Sequence, residues 1–481
     1  MTPFIHLFRS PNKFYFYDVN KDHVLSISEG LYSYLNSNKE IPEDIHTIEE
    51  LEQSDIENLE SLLDQGYLST NRVQKIRHYH TSDMEFQILN RMNHLILQVT
   101  QSCNLVCSYC PYANKAEGTH ERNHSGKKMP FEVAKKSIDL LLECSTEVEE
   151  VSISFYGGEP FLNFDLIKQA VAYANEQFIG KKIDYSLTTN GTLLTDEIIA
   201  YLCDNRFNVM FSIDGPESIH DANRKRPDGS GSYKEAVNNL KKICNSYGEK
   251  AHEKISINAV INPQSDFDEI LHIFDDPFFV ENKIRIEASL ASSDMLDKPL
   301  EYQSDFKEKY YYNRFLALLK NFHLVKDLTL DPISQGITDR QMIELLWKDK
   351  EQPFLGTVSA PGGPCIPGQK RFFVDVYGNF YPCERVNELA DETKFGNVWD
   401  GIDFQKAEQM LNISRLTEKE CKNCFAFRHC SACIRTATDE NGFSNKQKLS
   451  QCAQIRNKLV DNLRLIALEQ EIDSVYKGCS T

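Results

Sequence analysis

Apolar residues change their spacing twice along this chain of 481 residues. Up to residue 70 the pattern is that of a small mixed unit. Short apolar runs at 4–8 and 14–17 flank the turn residues Ser10, Pro11 and Asn12, and 24–27 supplies a third run, which predicts three strands. Helical spacing follows at 29–35, 47–51 and 56–63, and Gly66 stands where a C-capping glycine belongs. The stretch 72–83 is basic and polar and reads as a linker. From about residue 91, strand-like runs recur at 95–99, 151–155, 183–187, 209–213, 255–261 and 284–290. Helical patterns near 131–143, 164–178, 195–204, 233–244 and 267–274 separate them. Such alternation predicts parallel βα units with right-handed crossovers, so the fold class is α/β. Six units make a partial (β/α)6 barrel of the TIM type, with its chemistry at the C-terminal strand ends. Residues 291–355 are polar with helical spacing, best at 306–322 and 338–347. Gly362, Gly363 and Pro364 break that pattern, a Cys-rich unit runs to about 455, and an amphipathic helix at 453–468 follows. The expected domains are 1–88, 89–300, 301–360 and 361–481.

Charge and composition narrow the function. A net charge of -18 argues against nucleic acid, a polyanion, and favours a basic partner such as a Lys-rich peptide segment. No early window pairs basic residues with a signal-peptide apolar run, and no run approaches the ~18 residues of a membrane span. The expectation is a cytoplasmic protein without a membrane. Fourteen cysteines in a reducing compartment point to metal or redox chemistry rather than disulfides. Ten of them cluster at 103–110 and 365–452. Of the scattered ones, Cys144, Cys203 and Cys244 lie in helical apolar patterns and read as core residues, and Cys479 as a tail thiol.

Cys103, Cys107 and Cys110 follow the first barrel strand. Three thiolates wrap an iron–sulfur cube but leave one of its irons open, whereas zinc ordinarily takes a fourth protein ligand. Tyr109 adds an aromatic wall. Gly157, Gly158, Glu159 and Pro160 follow the second strand, Asn190 and Gly191 the third, and Ser212, Asp214 and Gly215 the fourth. Arg224 comes next, after His220 and Asp221. Together these motifs resemble the radical SAM superfamily, enzymes of S-adenosylmethionine (SAM). The resemblance implies a [4Fe–4S] cluster on Cys103, Cys107 and Cys110 whose open iron is chelated by SAM. It implies a 5′-deoxyadenosyl radical that abstracts hydrogen from an unactivated C–H bond. It further implies that Tyr109, Gly157, Gly158, Glu159, Asn190, Ser212, Asp214 and Arg224 bind the cofactor.

The second group is Cys365, Cys383, Cys421, Cys424, Cys430, Cys433 and Cys452. Alone, its two CxxC pairs also fit a structural zinc knuckle. As a whole the layout is similar to the SPASM domain, the auxiliary-cluster extension of peptide-maturing radical SAM enzymes. It departs from the usual pattern in having two residues, Ser431 and Ala432, rather than three between Cys430 and Cys433. The resemblance implies one complete auxiliary [4Fe–4S] cluster on Cys421, Cys424, Cys430 and Cys452. It implies another on Cys365, Cys383 and Cys433 with an open iron, making three clusters in all. Glu384 follows Cys383 where sulfatase-maturing relatives place a general base, and it also reads as a surface Glu paired with Arg385.

The N-terminal unit resembles the winged-helix-like leader-recognition element of ribosomal-peptide maturases, with the leader added as a strand beside about 24–35. The stretch 97–103, with 111–115 behind the cluster loop, looks like thioether-forming maturases of the ranthipeptide and sactipeptide type. The implied activity joins a peptide Cys sulfur to carbon, with a flavodoxin or ferredoxin as electron donor by analogy. The competing readings are carbon–carbon (cyclophane-type) crosslinking, formylglycine generation of the sulfatase type, and a non-enzymatic electron carrier.

Overall fold

The computed structural model describes residues 2–37, 40–110, 125–291, 302–328, 330–345, 352–439 and 441–476. Strands β1 (Ile5–Arg9), β2 (Phe14–Asp18) and β3 (His23–Ile27) form an antiparallel sheet in that order. Ser10 closes the first turn by accepting from the amides of Asn12 and Lys13. Ser28 caps helix α1 (Glu29–Asn36) by accepting from Leu31 N at 3.1 Å. Helix α2 (Gln53–Asp64) ends at Gly66, whose φ of 76° suits a C-cap glycine. The helix expected at 47–51 is a 3₁₀ turn, Ile45–Thr47: Ile48 is extended and ends it, and Ile48 and Leu51 are both buried in the core.

The stretch 72–83 is not a free linker. Lys75–Ile76 pairs in parallel with Val358–Ser359, and Ile76 N and His78 N donate to Glu418 and Asn412. Polar composition hid this because the pairing uses backbone groups, which leave no hydrophobic period.

The barrel strands are β4 (His94–Thr100), β5 (Glu150–Gly157), β6 (Lys182–Thr189), β7 (Asn208–Ser212), β8 (Ile255–Ile261) and β9 (Arg285–Leu290). They are parallel neighbours in sequence order, the signature of an α/β sheet. Helices α3 (Phe131–Glu143), α4 (Phe164–Gln177), α5 (Asp196–Asp204) and α6 (Tyr233–Tyr247) alternate with them. Their apolar stripes join one core with the strands, and Cys144 and Cys244 lie buried in it while Cys203 packs against it. Beyond β4 the sheet continues through β10 (Phe372–Val374), parallel to β4, and β11 (Phe380–Tyr381), antiparallel to β10. The Cys-rich region thus extends the barrel sheet, and β11 ends two residues before Cys383.

Helices α7 (Phe306–Asn321) and α8 (Pro332–Glu344) follow β9. Near the chain end come α9 (Asn445–Ser450) and α10 (Cys452–Tyr476), the latter longer than its apolar pattern predicted. Leu459, Leu463, Ile466 and Ala467 of α10 pack against Phe8, Tyr15 and Tyr17. The other face of the three-stranded sheet, carrying Phe16 and Ile27, packs on α1 and α2. The N-terminal sheet is therefore covered on both sides. Residues 111–115 and Cys479 lie outside the described residues.

Candidate active site

The loop after β4 carries Cys103, Cys107 and Cys110, and all three line a cavity of about 1660 Å³. The loop is held from several sides. Val106–Cys107 pairs antiparallel with Arg224–Lys225, with Arg224 opposite Cys107. Ser108 donates from its backbone to Asn223 O at 3.0 Å and from its hydroxyl to Asn223 Oδ1 at 3.1 Å. Asn190 donates to Asn104 Oδ1 at 2.8 Å, and Asn104 donates to Thr192 Oγ1 at 2.8 Å. Asn104 and Asn223 were missed in sequence reasoning, since neither belongs to a spaced motif.

Gly157 and Gly158 sit where β5 meets this loop. A Cβ on Gly157 would collide with Thr100 O, and one on Gly158 with Ser102 O. Gly157 also has a φ of 133°, which side-chain-bearing residues rarely adopt. Both glycines line the cavity, as do Tyr109, Asn190, Ser212 and Arg224.

Glu159 and Asp214 do not reach that lining. Glu159, 1% exposed, accepts from Thr189 Oγ1 and Asn190 N at 2.8 Å each, tying β5 to the end of β6. Burial pushes its carboxyl up to about 7. Asp214 accepts from Arg224 Nε at 3.0 Å, from Val260 N at 3.1 Å and from the Tyr109 hydroxyl. Arg224 also lies over the Tyr109 ring, 5.3 Å from its centroid. The carboxylate that Arg224 pairs with is thus the chain's own, and the triad locks the loop beside Cys107.

Burial raises the Cys103 thiol to about 12 and Cys107 to about 11, so iron binding must displace protons here. Cys103 Sγ accepts from Leu105 N at 3.4 Å, a bond that favours the thiolate. Among the described residues, no three His, Cys, Asp or Glu side chains converge as ligands of one metal ion would. The donor set on this loop is three thiols fronting a cavity, which fits a cube with one iron left for an outside ligand.

The second Cys group divides in two by electrostatics. Cys430 and Cys452 each feel Cys421 and Cys424. Cys383 feels Cys433, and Cys433 feels Cys365. Arg385, Ser431, Arg435 and Thr436, neighbours of Cys383 and Cys433, line the same cavity as the first loop. Further walls come from β8 and β9 and from α7, α8 and α10, with Phe315, Leu318, Ile455 and Leu465 among them. Glu384 is absent from this lining. Its Oε1 pairs with Arg371 and, at 3.4 Å, with Arg385, while Oε2 is buried without a hydrogen bond among the described residues.

Residues 97–276 match the family described as the Radical SAM superfamily. A 145-residue stretch is 40% identical to an uncharacterized protein of Methanocaldococcus jannaschii, of which the chain covers 46%. The radical SAM cyclopropyl synthase TigE of Paramaledivibacter caminithermalis is 24% identical over 92% of this chain and 89% of its own length. A cysteine-type anaerobic sulfatase-maturating enzyme of Clostridium perfringens is 26% identical over 72% of this chain and 89% of its own. The solved structure of native anSMEcpe with bound AdoMet superposes with a TM-score of 0.55 at 22% identity, over 79% of this chain and 99% of that one. The segment 97–276, which supplies most strands of the mostly parallel α/β sheet, is thus similar to the Radical SAM superfamily.

Proposed function

We propose that the chain forms intramolecular thioether crosslinks, Cys sulfur to carbon, in a ribosomally made precursor peptide. In this reading Cys103, Cys107 and Cys110 hold the SAM-binding cluster. Cys421, Cys424, Cys430 and Cys452 hold a complete auxiliary cluster. Cys365, Cys383 and Cys433 hold another, with a position left for the peptide thiolate. The carrying observation is the shared cavity. It joins the first Cys loop to residues flanking Cys383 and Cys433, and its 1660 Å³ is the space that cluster, SAM and peptide segment would share.

When bound, the cluster and SAM supply a radical that takes a hydrogen atom from carbon. The chain's own side chains do the rest. Tyr109, Asp214 and Arg224 keep the loop rigid, and Gly157 and Gly158 let backbone approach the cofactor. Phe315, Leu318, Ile455 and Leu465 keep water from the reacting carbon. Arg385 and Arg435 favour the thiolate of an incoming peptide Cys. Glu384, held by two arginines, serves as an ion-pair partner rather than a base. The peptide's leader joins the free edge of β3, beside α1, since β3 pairs only with β2 among the described strands. A flavodoxin or ferredoxin supplies electrons by family analogy.

Two further readings have support from relatives. TigE aligns along 92% of the chain and favours carbon–carbon bond formation, and the sulfatase-maturating relative gives equal support to formylglycine generation. Anaerobic co-expression with a candidate Cys-containing precursor peptide separates them by mass spectrometry. Thioether formation removes two hydrogens per Cys and blocks that Cys from alkylation. Lost mass with every thiol still alkylatable overturns the proposal in favour of carbon–carbon bonds, and an aldehyde in place of the thiol does so in favour of formylglycine.

A further inference from the structure

Lys448 is 1% exposed, on the six-residue helix α9 that leads into Cys452. Ser444 caps this helix by accepting from Gln447 N, and the turn so fixed points Lys448 into the Cys-rich region. Its Nζ donates to Thr417 Oγ1 at 2.9 Å and to Cys421 Sγ at 3.4 Å. Thr417 is itself 2% exposed, and its hydroxyl lies 3.3 Å from the same sulfur. The backbone carbonyl of Lys448 accepts from Cys452 Sγ at 3.9 Å. The partners of its ammonium among the described residues are thus a hydroxyl and a sulfur, not a carboxylate.

A buried ammonium without a carboxylate costs several kcal/mol unless another anion compensates it. Here the neighbouring atoms are sulfurs. Four thiolates around a [4Fe–4S] core carry net negative charge, and one-electron reduction adds more. A fixed cation and an N–H···S bond stabilise the reduced form most, and both are recognised determinants of cluster potential.

We propose that Lys448, positioned by Thr417, raises the reduction potential of the auxiliary cluster held by Cys421, Cys424, Cys430 and Cys452. The inference rests on the ligand set given above and not on the identity of the peptide product.

The test is a redox titration of the iron-loaded full-length enzyme, followed by electron paramagnetic resonance, for wild type, K448M, K448R and T417V. K448M keeps the wild-type iron and sulfide content. At a fixed potential its affected cluster shows at least a tenfold lower ratio of reduced to oxidised form, which is 59 mV for one electron. K448R restores most of the wild-type potential, and T417V moves it the same way as K448M by a smaller amount. Unchanged midpoints in a fully loaded K448M overturn the proposal. So does loss of one cluster's iron in K448M and T417V, which would make the lysine structural. C452S checks the ligand set separately, because it must alter the signal that K448M shifts. If C452S leaves iron content and every signal unchanged, the ligand assignment itself fails.

Discussion

At the scale of the residue, the site depends on what small groups leave room for. Gly158 has space only for a hydrogen, because any Cβ would meet the backbone carbonyl of Ser102, one residue before Cys103. The variant Gly158→Ala must push the loop away, so it is expected to lose one cluster's worth of iron while the proposed auxiliary clusters stay loaded. Iron and sulfide analysis checks this. Glu384 gives the opposite expectation. Its carboxylate is engaged by Arg371 and Arg385 and stands outside the cavity lining, so Glu384→Gln retains turnover within about threefold of wild type. A loss of two orders of magnitude, with iron content intact, would restore the base role, since general acid–base groups typically contribute ~10²–10⁴-fold. The chemistry-bearing residue types were legible in the sequence because their spacing is local. The work of Glu159 and Asp214 was not, because their partners Thr189, Asn190, Arg224 and Val260 arrive from other strands.

At the scale of the element, the barrel strands were legible because buried apolar residues recur at least at every second position, as Val151, Ile153 and Phe155 do. Strands β10 and β11 escaped notice: at three and two residues they are too short for any period to show. The docking of the N-terminal sheet was equally silent. It rests on His6 stacked on Phe425 at 3.9 Å and on an Asp22–His429 contact at 2.7 Å, in the segment between Cys424 and Cys430. Burial, helped by the charge of Arg464, lowers the His6 pKa from 6.5 to about 4. A base whose folded pKa is depressed adds stability above its unfolded pKa and loses it as pH falls toward the folded one. The His6 contribution is therefore complete above pH 6.5 and fades between 6.5 and about 4. His6→Phe keeps the stack and removes the proton, so its melting temperature falls less than wild type's across that window. Parallel melting curves for the two proteins would contradict this.

At the scale of the whole molecule, helix α10 ties three jobs together. It begins at Cys452, lends Ile455, Lys458 and Leu465 to the cavity wall, and covers Phe8, Tyr15 and Tyr17 with its next turns. Removing residues 2–70 would strip that cover, so the truncated chain is expected to lose iron from the proposed auxiliary clusters as well as the proposed peptide binding. A substitution that introduces positive charge on the exposed edge of β3, such as Ser26→Lys, is expected to weaken binding of a basic leader at full iron content. The central claim is that one cavity brings a SAM-derived radical and a peptide thiolate to the same carbon. Its most direct test supplies the enzyme with peptide produced from perdeuterated amino acids and reads both products by mass spectrometry. The account predicts 5′-deoxyadenosine carrying deuterium, together with a peptide whose Cys no longer reacts with alkylating agent. Deuterium-free 5′-deoxyadenosine, or a processed peptide with all its thiols free, would contradict it.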